Sequence, residues 1–110
     1  MTKVWQFWEF EHPSNNTVRV IATPEGLEIF AKDVFQILIP ELKQEKIIPL
    51  KIKSKKRSVV LNCNSGIVTI ETLNSLAIYN LTSIVEPVLV RQFMQWVRSK
   101  VMPIFQQEFI

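Results

Sequence analysis

The stretch that decides the fold is VRVIATPEGLEIFAKDVFQIL, residues 18–38, because its hydrophobic period changes along its length. Apolar side chains alternate with other residues from 18 to 23, and three of the four residues from 27 to 30 are apolar, so both segments are predicted strands. Pro24-Glu25-Gly26 lies between them and predicts a turn. From 31 to 38 the apolar residues recur at helical spacing instead, which predicts a short helix. Strands that lead directly into a helix indicate a domain of mixed class.

The segments around this stretch add more strands. Residues 3–12 alternate loosely and are rich in aromatic side chains, so we expect one strand there. The turn formers HPSNNT, residues 12–17, then predict a hairpin between that strand and residues 18–23. Apolar or β-branched runs at 47–52 and 58–63 flank a basic tip, and we interpret them as a central β-hairpin.

The last third of the chain predicts another strand and two helices. Residues 67–71 form the strand, and Thr72 is a candidate N-cap for a helix over 73–81. A wide apolar stripe at helical spacing predicts the second helix over 87–102, which Pro103 would kink or end. Together these elements predict an α+β fold for residues 1–110. We expect a small single domain with an N-terminal β-hairpin, a short helix, a central basic β-hairpin and two C-terminal helices.

The composition fits a small domain with a core of its own. The chain has 110 residues, of which 47% are hydrophobic, and no apolar run approaches the roughly 18–20 residues that a membrane span requires. Cys63 is the sole cysteine, so no internal disulfide can form, which fits a reducing cytoplasm. One Cys and one His cannot make a Cys/His zinc site within one chain, and we expect neither a metal nor a cofactor.

The net charge of +3 is modest, but it is unevenly distributed. The segment KIIPLKIKSKKRS, residues 46–58, carries six of the thirteen basic residues, and no Asp or Glu occurs between Glu45 and Glu71. At the tip of a hairpin these side chains could lie along the phosphates of duplex DNA, or they could keep an edge strand soluble. The candidate contacts are Lys51, Lys53, Lys55, Lys56 and Arg57, together with Arg91, Arg98 and Lys100 on the polar side of the last helix.

The aromatic residues of the first strand admit two interpretations. Trp5, Phe7, Trp8 and Phe10 could stack on single-stranded bases, but alternating aromatics more often pack in a core or at a dimer contact. We favour the second interpretation, which leaves a homodimer open. Trp96 lies in the apolar stripe of the last helix and is predicted to be in the core.

An enzymatic function has little support in the sequence. His12 lies in a proline-containing turn with no obvious Ser or Cys partner. No GxSxG, HExxH or glycine-rich phosphate loop occurs. We therefore expect a protein that is not an enzyme.

Three sets of residues occur in an order that resembles a known family. The first is Val18-Arg19-Val20-Ile21 followed, after a turn, by Phe30-Ala31-Lys32-Asp33-Val34. The second is the central hairpin leading through Val68-Thr69-Ile70 into a Leu-rich helix. The third is Phe93-Met94-Gln95-Trp96-Val97, then Val101-Met102-Pro103-Ile104. Together they cover nearly the whole chain and are similar to the Bro-N domain, the N-terminal domain of the Bro proteins of insect DNA viruses, which also occurs in phage and prophage antirepressors.

The resemblance to Bro-N implies DNA binding. We predict a regulatory protein of phage or prophage type, antirepressor-like, that contacts the backbone of double-stranded DNA through the basic hairpin. The alternative is a protein-interaction module that binds a repressor or host protein without contacting DNA. It is favoured by Met94 and Gln95, which stand where the family often has two basic residues before its tryptophan. No helix combines a basic face with a strong apolar one, so we expect no membrane partner.

Overall fold

A computed structural model of the protein describes residues 3–39, 53–60 and 66–108. They form one six-stranded sheet and a set of helices, so the predicted α+β class is confirmed. The strands are β1 (Val4–Trp5), β2 (Trp8–Glu11), β3 (Thr17–Thr23), β4 (Gly26–Phe30), β5 (Lys55–Val60) and β6 (Ile67–Asn74). The α-helices are α1 (Ala31–Leu38), α2 (Ser75–Tyr79), α3 (Pro87–Trp96) and α4 (Met102–Glu108). A 3₁₀ turn (Asn80–Ser83) follows α2, and a π-helical turn (Val97–Val101) joins α3 to α4.

The stretch from β3 to α1 folds as its sequence predicts. β3 and β4 pair antiparallel around the Pro24-Glu25 turn, where Thr23 Oγ1 donates a hydrogen bond to the Gly26 carbonyl at 2.7 Å. Gly26 has φ +133°, which residues with a Cβ rarely adopt, so the glycine is required there. The chain then enters α1 directly after β4, and Val34 and Leu38 of that helix are buried.

The N-terminal aromatic segment forms two strands rather than the single predicted strand. The sheet order is β1-β5-β6-β4-β3-β2, so β1 and β2 lie on opposite edges although only Gln6 and Phe7 separate them. Three Cα–Cα steps span at most about 11 Å, which forces the two edges together and curls the sheet. The single strand was predicted because the alternation of side chains continues through this break.

The strand at the central basic segment pairs with a different partner from the one predicted. β5 begins at Lys55 and pairs antiparallel with β6, with Lys55 opposite Thr72 and Val60 opposite Ile67. The residues predicted as a basic tip therefore lie largely within a strand, and the hairpin partner is 67–74. The predicted arm 47–52 and residues 61–63 lie outside the described residues.

The helices after β6 also start and end differently from the prediction. Thr72 and Leu73 are fully buried within β6, and the N-cap of α2 is Asn74, whose side chain accepts a hydrogen bond from the Ala77 backbone N–H at 2.9 Å. Pro103 does not end the last helix, which continues to Glu108. The π-helical turn immediately before Pro103 accommodates the missing backbone N–H and the bulk of the proline ring.

Two apolar clusters lie on opposite faces of the sheet. The larger cluster lies between the sheet and the helices and contains Val18 and Val20 of β3 together with Phe93 of α3. The smaller cluster, on the other face, is built on Ile21, Phe30 and Val59. Within the described ranges, no helix has both the length and the apolar content needed to cross a bilayer.

All four N-terminal aromatics are half-buried against these clusters. Trp5 and Phe7 pack against the smaller cluster, and Trp8 and Phe10 against the larger. The Trp8 and Phe10 rings lie 5.2 and 5.9 Å from the ring of Phe105 on α4, so they attach an edge strand to the last helix.

Candidate nucleic-acid interface

The predicted basic tip is divided between the two faces of the sheet. Lys53, Lys55 and Lys56 are exposed, and Lys51 lies outside the described residues. Because side chains alternate along a strand, Lys55 and Arg57 share the face of Val59 and the smaller cluster, whereas Lys56 lies on the opposite face. Lys56 therefore lies on a different face of the sheet from Lys55 and Arg57.

Arg57 is engaged within the fold. Its Nε and Nη2 atoms donate to the two carboxylate oxygens of Glu28 at 2.8 and 2.5 Å, and its guanidinium stacks 4.9 Å from the Trp5 ring centroid. Thr72 Oγ1 donates to Glu28 Oε1 at 2.6 Å, which completes the hydrogen bonding of a carboxylate that is 2% exposed. The hydrogen bond to Glu28 raises the pKa of Arg57. This arrangement assigns the guanidinium to the protein interior rather than to a ligand.

Lys55 also has an acidic partner. Its Nζ lies 3.0 Å from Glu25 Oε2 in the β3–β4 turn, and both side chains are largely exposed. Glu25 and Glu28 lie 30 and 29 residues before Lys55 and Arg57, so the absence of acids between Glu45 and Glu71 did not reveal them. No acid near in sequence neutralises the basic segment, but the sheet brings carboxylates from distant parts of the chain to Lys55 and Arg57.

A second ion pair explains Asp33 at the start of α1. Arg19 of β3 donates from its backbone N–H and from Nε to Asp33 Oδ2, both at 2.9 Å, and from Nη2 to Asp33 Oδ1 at 2.8 Å. Asp33 is 2% exposed, and the Arg19 guanidinium stacks 4.6 Å from the Phe30 ring centroid. The hydrogen bond to Asp33 raises the pKa of Arg19. This pair fixes α1 on the sheet.

Three further basic residues lie in α3 and the π-helical turn that follows it, and they have no nearby acid in sequence. Arg91, Arg98 and Lys100 are all exposed, and no Asp or Glu occurs from residue 87 to 107. Within the described part of the chain, none of the three lies within ion-pair distance of a carboxylate. They share this property with the exposed Lys32, Lys53 and Lys56, whereas Arg19, Lys55 and Arg57 are paired with acids.

Arg91 and Arg98 lie on the same flank of this helix. Seven residues make about two helical turns, so the two arginines are aligned about 10 Å apart along the axis, with exposed Gln95 between them. Lys100 is two residues after Arg98 within the π-helical turn, so the two side chains do not share a flank. We call Arg91, Gln95 and Arg98 the basic flank. The sequence placed the arginines on the polar side but did not single out Gln95.

Tyr79 joins the basic flank from a neighbouring helix. The Nη1 group of Arg98 donates a hydrogen bond to the Tyr79 hydroxyl at the end of α2. Tyr79 is half-buried and packs against the larger cluster, so its position is set by the core. The phenol is neutral, so the arginine keeps its full positive charge. No sequence signal identifies this contact, because it joins two helices across nineteen residues.

His12 forms contacts that the sequence did not anticipate. Its Nδ1 lies 2.8 Å from Ser14 Oγ and accepts the Ser14 backbone N–H at 3.1 Å, so a Ser partner does exist. These bonds close the β2–β3 turn, and the ring packs against Trp96 at 4.7 Å between centroids. Burial lowers the pKa of His12, which favours the neutral ring. Trp96 itself is half-buried against the larger cluster rather than fully in the core.

A small apolar surface lies on the hairpin. Val60 and Ile67 face each other across β5 and β6 and are 42% and 63% exposed. Val4 of the adjacent β1 is also exposed, and with Val60 it lines a shallow pocket beside residues 5–8. Among the described residues, no group of three His, Cys, Asp or Glu side chains could hold a metal ion.

Comparison with known proteins gives no match: no family model, no curated protein and no solved structure is significantly similar to this chain.

Proposed function

We propose that this protein is a DNA-binding regulatory domain of the antirepressor type, acting in the cytoplasm, and that it binds the duplex backbone mainly through the basic flank. The observation that carries the proposal is the alignment of Arg91 and Arg98 on one exposed flank of a helical stretch that has no acid from residue 87 to 107. Arginine suits this role because its planar guanidinium can donate two parallel hydrogen bonds to a phosphate.

The sequence resemblance to Bro-N supports the same function. It implied DNA binding and covers the helix that carries the basic flank. The proposal changes the principal contact, however, from the β-hairpin to the last helix. The hairpin becomes the secondary contact because Lys55 and Arg57 are paired with acids, which leaves Lys53 and Lys56 as its described lysines without an ion pair.

Titration of a fluorescent duplex of mixed sequence tests this proposal. At about 50 mM salt, the Arg91→Ala/Arg98→Ala variant should bind at least about tenfold more weakly than the wild type, because two phosphate contacts and their counterion release are lost. Lys32→Ala is the matched control, since Lys32 is an exposed cation on α1. An equal loss in the control would show non-specific attraction, and absence of binding by the wild type would refute the proposal.

A protein-interaction module is the second candidate, and the exposed Val60–Ile67 pair favours it. Apolar side chains that face each other on a solvent-exposed sheet surface can be covered by a partner, whether a repressor, a host protein or a second copy of the chain. A partner retained after nuclease treatment, released by Val60→Thr/Ile67→Thr and unaffected by Arg91→Ala/Arg98→Ala, would select this function over DNA binding.

A further inference from the structure

We infer that Tyr79 is a positioning residue for DNA binding, which holds Arg98 in the orientation that meets a phosphate. The inference rests on the proposed function, because it concerns the same flank. Its basis is the hydrogen bond from Arg98 Nη1 to the Tyr79 hydroxyl, which joins an exposed and otherwise flexible side chain to a residue held by the core.

The physical reason is the entropy of the arginine side chain. An exposed arginine samples many rotamers, and immobilising it on a phosphate costs free energy. In the free protein the Tyr79 hydroxyl already restrains the guanidinium through one N–H of its fork, and four N–H donors remain for a ligand. Arg91 has no such hydrogen bond among the described residues, so the two arginines of the flank should respond differently to the loss of Tyr79.

The neutrality of Tyr79 is part of this role. A carboxylate at the same place would orient Arg98 equally well but would cancel its charge, as Glu28 does for Arg57. A phenol orients the guanidinium without weakening its attraction for an anion. The fold therefore contains an arginine of each type. The charge of Arg57 is compensated by the carboxylate of Glu28, whereas Arg98 is oriented by the uncharged hydroxyl of Tyr79.

Tyr79→Phe is the appropriate variant, since it removes only the hydroxyl and leaves the ring packed in the core. With the fluorescent duplex at about 50 mM salt, it should weaken binding about fivefold, corresponding to one lost orienting hydrogen bond. The slope of log Kd against log salt should stay at the wild-type value, because the charge of Arg98 remains. Arg98→Ala should instead lower that slope by about 0.9.

The double variant Tyr79→Phe/Arg98→Ala separates positioning from a general structural effect. If Tyr79 acts through Arg98, removing its hydroxyl when Arg98 is absent should change Kd by less than about twofold. A further fivefold loss in that background would overturn the inference while leaving the DNA-binding proposal intact, as would wild-type affinity for Tyr79→Phe alone. A wild type that does not bind the duplex would overturn both.

Discussion

Arg57 of β5 and Glu28 of β4 form a two-point ion pair although their strands are not neighbours in the sheet. β6 lies between them, and the Arg57 side chain crosses it to reach both oxygens of Glu28, at 2.8 and 2.5 Å. Thr72 of the intervening strand donates a third hydrogen bond to the same carboxylate. One buried acid thereby ties three strands together, which explains how a strand rich in lysine and arginine fits within the sheet.

Replacing Glu28 should destabilise the fold strongly. Glu28→Gln leaves the guanidinium of Arg57, whose side chain is 20% exposed, without a counter-charge. We expect the free energy of unfolding to fall by about 2–4 kcal/mol, as measured by chemical denaturation. Glu25→Gln is the matched control, because it breaks only the exposed pair with Lys55 and should cost less than about 1 kcal/mol. Equal losses in the two variants would contradict a structural role for the buried pair.

The same pair should make stability depend on pH in the acid range. Burial opposes ionisation of Glu28, but hydrogen bonds from Arg57 and Thr72 together with nearby positive charges outweigh it and lower its pKa. The unfolded chain therefore takes up the proton at a higher pH than the folded protein. The stabilisation is present above a pH of about 4.5 and is lost as the pH falls through the lowered pKa.

Comparing the wild type with Glu28→Gln over this range isolates the contribution of Glu28. The difference between their free energies of unfolding should be constant near neutral pH. It should shrink below a pH of about 4.5, by no more than about 1.4 kcal/mol per pH unit for one proton. A difference that stays constant down to acid unfolding would show that Glu28 titrates normally in the folded protein.

The start of α2 depends on Asn74. Its side chain accepts the Ala77 backbone N–H at 2.9 Å and caps a helix of five residues that carries Tyr79. Asn74→Ala should lower the free energy of unfolding by about 1 kcal/mol, as measured by chemical denaturation. Asn80→Ala, at an exposed position after the helix, should change it by less than about 0.5 kcal/mol. An Asn74→Ala protein as stable as the wild type would show that packing alone defines this helix.

The exposed lysines of the central segment should matter less for DNA binding than the last helix. If the basic flank makes the principal contacts, Lys53→Ala/Lys56→Ala removes only longer-range attraction, so Kd at about 50 mM salt should rise less than about threefold. A loss as large as that of Arg91→Ala/Arg98→Ala would restore the hairpin as the principal contact.

Local pattern was sufficient to predict much of the fold. The change of period between residues 18 and 38 predicted β3, β4 and α1, because a strand or helix with one buried face shows that face in its own sequence. Local pattern could not show that the strand predicted over residues 3–12 is interrupted at Gln6-Phe7, since the interruption depends on which edges of the sheet meet. Thr72 was mistaken for an N-cap because its burial beside Glu28 is a tertiary fact.

The candidate site was less accessible to sequence reasoning for the same reason. A run of basic residues shows how much positive charge a segment carries. Whether that charge is free to bind a ligand depends on acids such as Glu25 and Glu28, which only the folded sheet brings near. Arg91 and Arg98 could be placed on a polar helix face from spacing, but the contact of Arg98 with Tyr79 depends on how two helices pack.

The most direct test of the central claim is the salt dependence of duplex binding. For the wild type, log Kd should change linearly with log salt, and Arg91→Ala/Arg98→Ala should lower the magnitude of that slope by about 1.8, or two phosphate contacts. Lys32→Ala should leave it unchanged. The claim that the basic flank binds DNA would be contradicted if Arg91→Ala/Arg98→Ala kept the wild-type slope and affinity. It would also be contradicted if the wild type did not bind duplex DNA at low salt.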